Sequence, residues 1–170
     1  YFQKRGNSQT QSVLANYSST IDANGLPPDP GELGKKTLSG IDCDQDGVRD
    51  EVQRYIFFTY PNSKKIRSVM TQKAKALEAD ITAGDEASGR QVHDASDCQR
   101  AIFMTSAADV EGGRKAFDAS REMKAIVANT PARVNKYFHS YSNTHSAIIE
   151  STPFAETPTK CIFDPSTLAN

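Results

Sequence analysis

The sequence predicts a mostly α-helical protein, a small bundle of four or five helices with an extended N-terminal arm and an irregular C-terminal tail. Three observations carry this. Apolar residues recur at three- and four-residue steps from about Asp50 to Tyr141. The stretch before them, NGLPPDPGELG (Asn24 to Gly34), is broken by three prolines and three glycines. A length of 170 residues suits one domain with its own core.

Taken in order, residues 1–3 (YFQ) match the end of the protease-recognition tag ENLYFQ and are set aside as a tag remnant. A start at about Lys4 is expected where a signal sequence has been removed. Residues 4–39 read as an extended arm or linker that wraps on the body through Leu26, Leu33 and Leu38. Residues 40–170 form a second region, an acidic loop followed by the helical domain. The first helix begins near Asp50, with Val52, Tyr55, Ile56 and Thr59 on one face. The second carries Ile66, Val69, Met70, Lys73 or Ala74, Leu77 and Ile81, is opened by Asn62 or Ser63 as a cap, and is closed by Gly84. Val92, Ala95, Cys98, Ala101 and Ile102 mark a third. Ala116, Phe117, Ser120, Met123, Ile126 and Val127 mark a fourth, weakened at its start by Gly112 and Gly113. Thr130 followed by Pro131 is a cap with a proline at the first helical position, and Val134, Tyr137, Phe138 and Tyr141 give the last helix its apolar face. From Ser142 onward three prolines and the short KCIFD (Lys160 to Asp164) pack back irregularly. These stripes are read as core. The aromatic run YIFFTY (Tyr55 to Tyr60) is too rich for one face of a surface helix, so part of it is core and the rest a partner surface.

Charge and cysteine content narrow the partners. With 20 Lys+Arg against 21 Asp+Glu the net charge is -1, which gives no basic field for nucleic acid and no polybasic run for an anionic membrane. No apolar run approaches the roughly 18 residues of a membrane span. A lipid anchor in the precursor stays compatible with the chain. The hydrophobic content of 37% and mean hydropathy of -0.58 are lean for a globular domain, so help from an ion or a disulfide is expected. Three cysteines fit one bridge plus one spare thiol in an oxidising compartment. Cys98 with Cys161 is the favoured pair, because Cys43 lies inside the acidic loop.

That loop is GIDCDQDGVRDEVQRYIFF (Gly40 to Phe58). Counted from Asp42, carboxylates stand at positions 1, 3, 5 and 9 (Asp42, Asp44, Asp46, Asp50), glycine at 6 (Gly47), and Val48 at 7, where a main-chain carbonyl serves as ligand. Four like charges so close call for a cation. Calcium takes six to eight oxygens at about 2.3 to 2.6 Å, and alternate side chains of a tight loop converge only if a residue without Cβ makes the turn. A helix starting at Asp50 adds a favourable field for negative charge. A solvated acidic turn capping a helix would need only one or two of the four aspartates. The segment resembles the calcium loops of EF-hand proteins, and still more the single DxDxDGxxD loops of thrombospondin type 3 repeats, dockerins and many bacterial extracytoplasmic proteins. The resemblance spans about a dozen residues. It implies a bound Ca2+ held by Asp42, Asp44, Asp46, Val48 and Asp50. Two departures qualify it. Position 12 is Gln53 where an EF-hand has a bidentate Glu, which leaves Glu51, a distant carboxylate or water to complete the shell. No helix precedes the loop in GKKTLSG (Gly34 to Gly40), so a paired calmodulin-like sensor is not expected, and affinity in the weaker extracellular range is. Magnesium, which keeps a smaller octahedral shell and its water, fits less well.

Other patterns carry less. GELGKKT (Gly31 to Thr37) has the wrong spacing for a phosphate loop and no preceding strand. His93, His139 and His145 lack zinc-ligand spacing. No GxSxG or local Cys/His signature is present, and Asn16-Tyr-Ser18 matches a glycosylation acceptor that is common by chance. The loop followed by a helical body also resembles bacterial secreted or lipid-anchored proteins with one calcium loop near the N-terminus. The expectation is a periplasmic or secreted protein in which calcium serves folding and fastens the arm to the first helix. Its activity is read as binding another protein, in the manner of an inhibitor or immunity protein. The alternative is a metal-assisted hydrolase of the cell envelope, in which an ion polarises water.

Overall fold

The computed structural model describes residues 21–144 and 151–169. Five α-helices stand among them: α1 (Asp50–Thr59), α2 (Lys64–Ala83), α3 (Glu86–Phe103), α4 (Val110–Val127) and α5 (Pro131–Thr144), with short 3-10 helices at Gly31–Lys35, Phe154–Lys160 and Pro165–Thr167. No strand occurs among the described residues. The tag remnant, the possible glycosylation acceptor and His145 lie outside them.

Helix α2 is central, burying polar Gln72, Lys73 and Asp80 beside its apolar stripe. It packs against α1, α3, α4 and α5. Its Ser63 hydroxyl accepts the Ile66 amide at 3.0 Å, and Gly84 ends it in the left-handed region at φ 63°. Val69, Met70, Ala74, Leu77 and Ile81 join Val48, Val52 and Ile56 from the loop and α1, Cys98 from α3, and Ala119, Met123 and Val127 from α4 in one core. Asp85 caps α3 in a capping box with Ser88. Asp109 caps α4 by accepting the Gly112 amide at 2.8 Å. Gly112 has a steric role: a Cβ there would stand 2.4 Å from the Phe103 carbonyl oxygen at the end of α3. The glycine that lowers helix propensity is the residue that lets the two helices meet.

Two expected faces are corrected. On α4, Phe117 is 67% exposed. On α5, Val134, Phe138 and Tyr141 lie outward, while Arg133 and Ser140 are buried and Tyr137 packs against the core. The apolar face expected for α5 is therefore turned away by about one residue's rotation, roughly 100° on a helix of 3.6 residues per turn. The reason is Arg133, whose hydrogen bonds are described below. The aromatic run of α1 divides: Ile56 is buried, Tyr55 and Tyr60 pack on the core, and Phe58 is exposed beneath the Arg54 guanidinium.

Both flanking segments pack on the bundle. The arm docks through buried Leu26 and core-packed Leu38, and Leu33 is half-buried within a 3-10 turn that the proline- and glycine-rich stretch was not expected to hold. Arg54 donates to Asp22 at 2.7 Å and to the Pro27 carbonyl at 2.8 Å. The tail is tied by the Cys98–Cys161 disulfide, with Cα atoms 4.8 Å apart. Buried Gln72 grips it as well, donating to the Lys160 carbonyl at 2.8 Å and accepting the Ile162 amide at 3.1 Å. Phe154–Lys160 consequently lies along α3. No helix among the described residues is long and apolar enough to cross a membrane.

The bridge closes 63 residues of separation in a lean core. Replacing both cysteines by alanine is expected to remove about 4 kcal/mol in the chain-entropy account. Urea unfolding of the double variant would show this as a lower midpoint; an unchanged midpoint would mean that Gln72 and the tail's packing suffice.

Candidate metal centre

The loop from Asp42 to Asp50 is held from both ends. Ile41 and Val48 are buried, and the Asp50 amide donates to the Ile41 carbonyl at 2.9 Å, closing the loop at the first residue of α1. Gly47 turns the chain at φ 86°, and Gln45 also takes a positive φ of 55°. The carboxylates turn inward onto the loop's own amides. Asp42 accepts from Asp46 at 3.2 Å and from Gly47 at 3.0 Å, Asp46 accepts from Val48 at 2.8 Å, and Asp50 accepts from Cys43 at 2.9 Å. Each carboxylate oxygen keeps lone pairs beyond these bonds.

The structure brings Asp42, Asp44 and Asp50 together: one carboxylate oxygen of each lies within 4.8 Å of the others. Two oxygens bound to one calcium stand no farther apart than twice the bond length, about 5 Å, so this spacing and these hard donors fit the ion. Asp50 is fully buried and Asp44 is exposed, so the cluster runs from the core to the surface. Burial, followed by the neighbouring Asp44 and Asp46, raises the Asp42 carboxyl above its ordinary range; burial also raises Asp46. Gln53, at the twelfth loop position, folds back so that its amide donates to Asp44 at 2.9 Å. Cys43 is free, and its thiol is pushed up to about 12, by burial first and then by Asp50.

Glu51 belongs to a different constellation. Its carboxylate lies 3.4 Å from Arg49 and 3.5 Å from Arg133. Arg49 donates through Nε to Glu78 at 3.2 Å and through Nη2 to the Val127 carbonyl at 2.7 Å. Arg133, fully buried, donates to the carbonyls of Gly34 at 2.6 Å, Thr37 at 3.0 Å and Leu38 at 3.0 Å, and also to Asn129. Gly40 threads between the two guanidiniums at φ 69°, where a Cβ would stand 2.3 Å from Arg49. This network orients the arm that feeds the loop. The sequence did not announce it, since Arg49, Glu78 and Arg133 share no motif and come from the loop, α2 and α5.

Beside the loop opens a cavity of about 420 Å³ bordered by Asp42, Gly47, Arg49, Lys75 and Glu78. Burial is the largest influence on Glu78 and lifts it to about 7, against the opposing pull of Arg49. His93 faces Asp97 at 3.6 Å and His139 is exposed, so neither approaches the loop's acidic cluster. No protein-family model, curated protein or solved structure matches the chain.

Two outcomes follow from the arginine network. Arg133→Lys keeps the charge but loses the planar fork that serves three carbonyls, and should cost about 2 to 4 kcal/mol by urea unfolding; a loss under half a kcal/mol would show that the arm's docking does not depend on the fork. Glu78 binds its proton more tightly folded than its ordinary value of 4.5 implies. Its contribution to stability is therefore full below pH 4.5 and fades as pH rises through about 7. The stability of the wild type relative to Glu78→Gln should fall across that window; a flat difference would overturn the assignment.

Proposed function

We propose that the loop binds one calcium ion through Asp42, Asp44 and Asp50, with Asp46, the Val48 carbonyl and water as further oxygens. The ion serves folding by fastening the arm to α1, in an extracytoplasmic protein that acts by binding another protein. The observation that carries the calcium reading is the convergence of three carboxylate oxygens within 4.8 Å around a glycine-turned loop. Glu51, at ion-pair distance from Arg49 and Arg133, is left out of the shell in this reading. The disulfide accords with an oxidising compartment. Exposed Phe117, Phe138 and Tyr141 supply apolar surface of the kind that partners cover.

A second reading, a metal-assisted hydrolase of the cell envelope, draws on the cavity beside Asp42, where Glu78 titrates near neutrality and is suited to proton transfer. The two readings part on one point. A structural site alters stability alone, whereas a catalytic one confers calcium-dependent cleavage of simple esters or phosphoesters that Glu78→Gln abolishes.

Thermal melts of chelator-treated protein test the metal. Calcium at about a hundred times its Kd should stabilise the fold by about 2.7 kcal/mol through mass action. Asp42→Asn/Asp44→Asn should lose that response, because it removes two charges while keeping hydrogen-bond acceptors. The absence of any shift at millimolar calcium would reduce the aspartates to loop and helix caps.

A further inference from the structure

Four helices enclose a second cavity of about 350 Å³ in the body of the bundle. Lys73 and Asp80 border it from α2, His93 and Ser96 from α3, Ser120 and Lys124 from α4, and Tyr137 and Tyr141 from α5. Facing helices of a bundle are a common place for small-ligand sites, and the volume lies at the small end of the range.

The polar contents of this cavity are unbalanced. Lys73 is only 1% exposed. Its ammonium donates to the Ser96 hydroxyl at 2.6 Å and reaches the Val92 carbonyl at 3.5 Å, while the Ser96 hydroxyl itself donates to the Val92 carbonyl at 2.7 Å. No carboxylate among the described residues lies within ion-pair distance of Lys73 or Lys124, although the Asp97 charge favours the protonated form of Lys73. Asp80 accepts from Ser88 at 3.1 Å, and Asp97 is met by Arg100 at 2.9 Å and His93 at 3.6 Å. A buried ammonium without a direct ion-pair partner is costly, and a second lysine on the same cavity adds to the cost. Burial first and the Lys124 charge second draw Lys73 down to about 8, so it remains mostly protonated at neutral pH. An apolar side chain would fill the position without that cost.

We infer that this cavity binds a small organic anion, whose single carboxylate or phosphate group lies between Lys73 and Lys124 with the Ser96 and Ser120 hydroxyls as additional partners and its body against Tyr137. The bound anion supplies the direct ion-pair partner that both lysines lack. The site is independent of the calcium loop, so it stands or falls separately from the metal reading.

The test is an NMR titration of the full chain at fixed ionic strength with benzoate, phenyl phosphate and neutral benzyl alcohol. Saturable shifts at the cavity are expected with one or both anions and not with the alcohol, and whichever anion binds identifies the head group. Lys124→Met, a half-buried position, should weaken binding at least about tenfold, and so should Lys73→Met if it folds. No saturable shift with either anion at about ten millimolar, equal binding of the alcohol, or unchanged affinity in Lys124→Met would overturn the site.

Discussion

Two buried guanidiniums set the course of the chain at one end of the bundle. Arg133 and Arg49 together present ten N–H donors where little water reaches, and each donor that lacks an acceptor would cost free energy on the scale of a lost hydrogen bond. Their acceptors come from all parts of the chain: the arm carbonyls at Gly34, Thr37 and Leu38, the Val127 carbonyl, Asn129 and the Glu78 carboxylate, with Glu51 at ion-pair distance from both. Satisfying Arg133 turns α5 so that Phe138 and Tyr141 face outward while Tyr137 packs on the core. Satisfying Arg49 brings the end of the acidic loop onto α2. Gly40 is required because the chain passes where no side chain fits.

The acidic loop depends on this arrangement. Ile41 and Val48 are buried on either side of it, and Asp50 begins α1 from inside the core. The loop's geometry is thus imposed by packing as much as by its own turn residues. Positive and negative groups are divided between neighbouring compartments: Glu51 and Glu78 answer the arginines, while Asp42, Asp44 and Asp50 face one another. Burial first, and the neighbouring carboxylates after it, raise the carboxyls of Asp42 and Asp46.

The other end of the bundle is secured differently. The core is assembled from modest side chains, with alanines at positions 74, 95, 116 and 119. Such a core buries limited apolar area. The tail compensates by means of a covalent bridge to α3 and a two-point amide contact with Gln72 on α2. Within the same bundle the Lys73 cavity is an exception to apolar packing. Polar groups of this kind are expected at functional sites, where local rules of folding are relaxed.

Local patterns in the sequence were sufficient for the helices and for the position of the loop. Apolar steps of three and four residues, Ser63, Gly84 and Thr130-Pro131 mark boundaries because capping and periodicity act within a few residues. The favoured pairing of Cys98 with Cys161 followed from placing Cys43 in the acidic loop. The facing of α4 and α5 was not legible, since Phe117, Val134 and Phe138 look like core by composition and are exposed. Only tertiary structure decided that, because a buried Arg133 takes its partners from residues nearly a hundred positions away. The same holds for the allocation of Glu51 to the arginines and for the meeting of Lys73 with Lys124 across two helices. Hydrophobic period is a property of neighbours along the chain, whereas the satisfaction of buried charge is settled only when distant segments have come together.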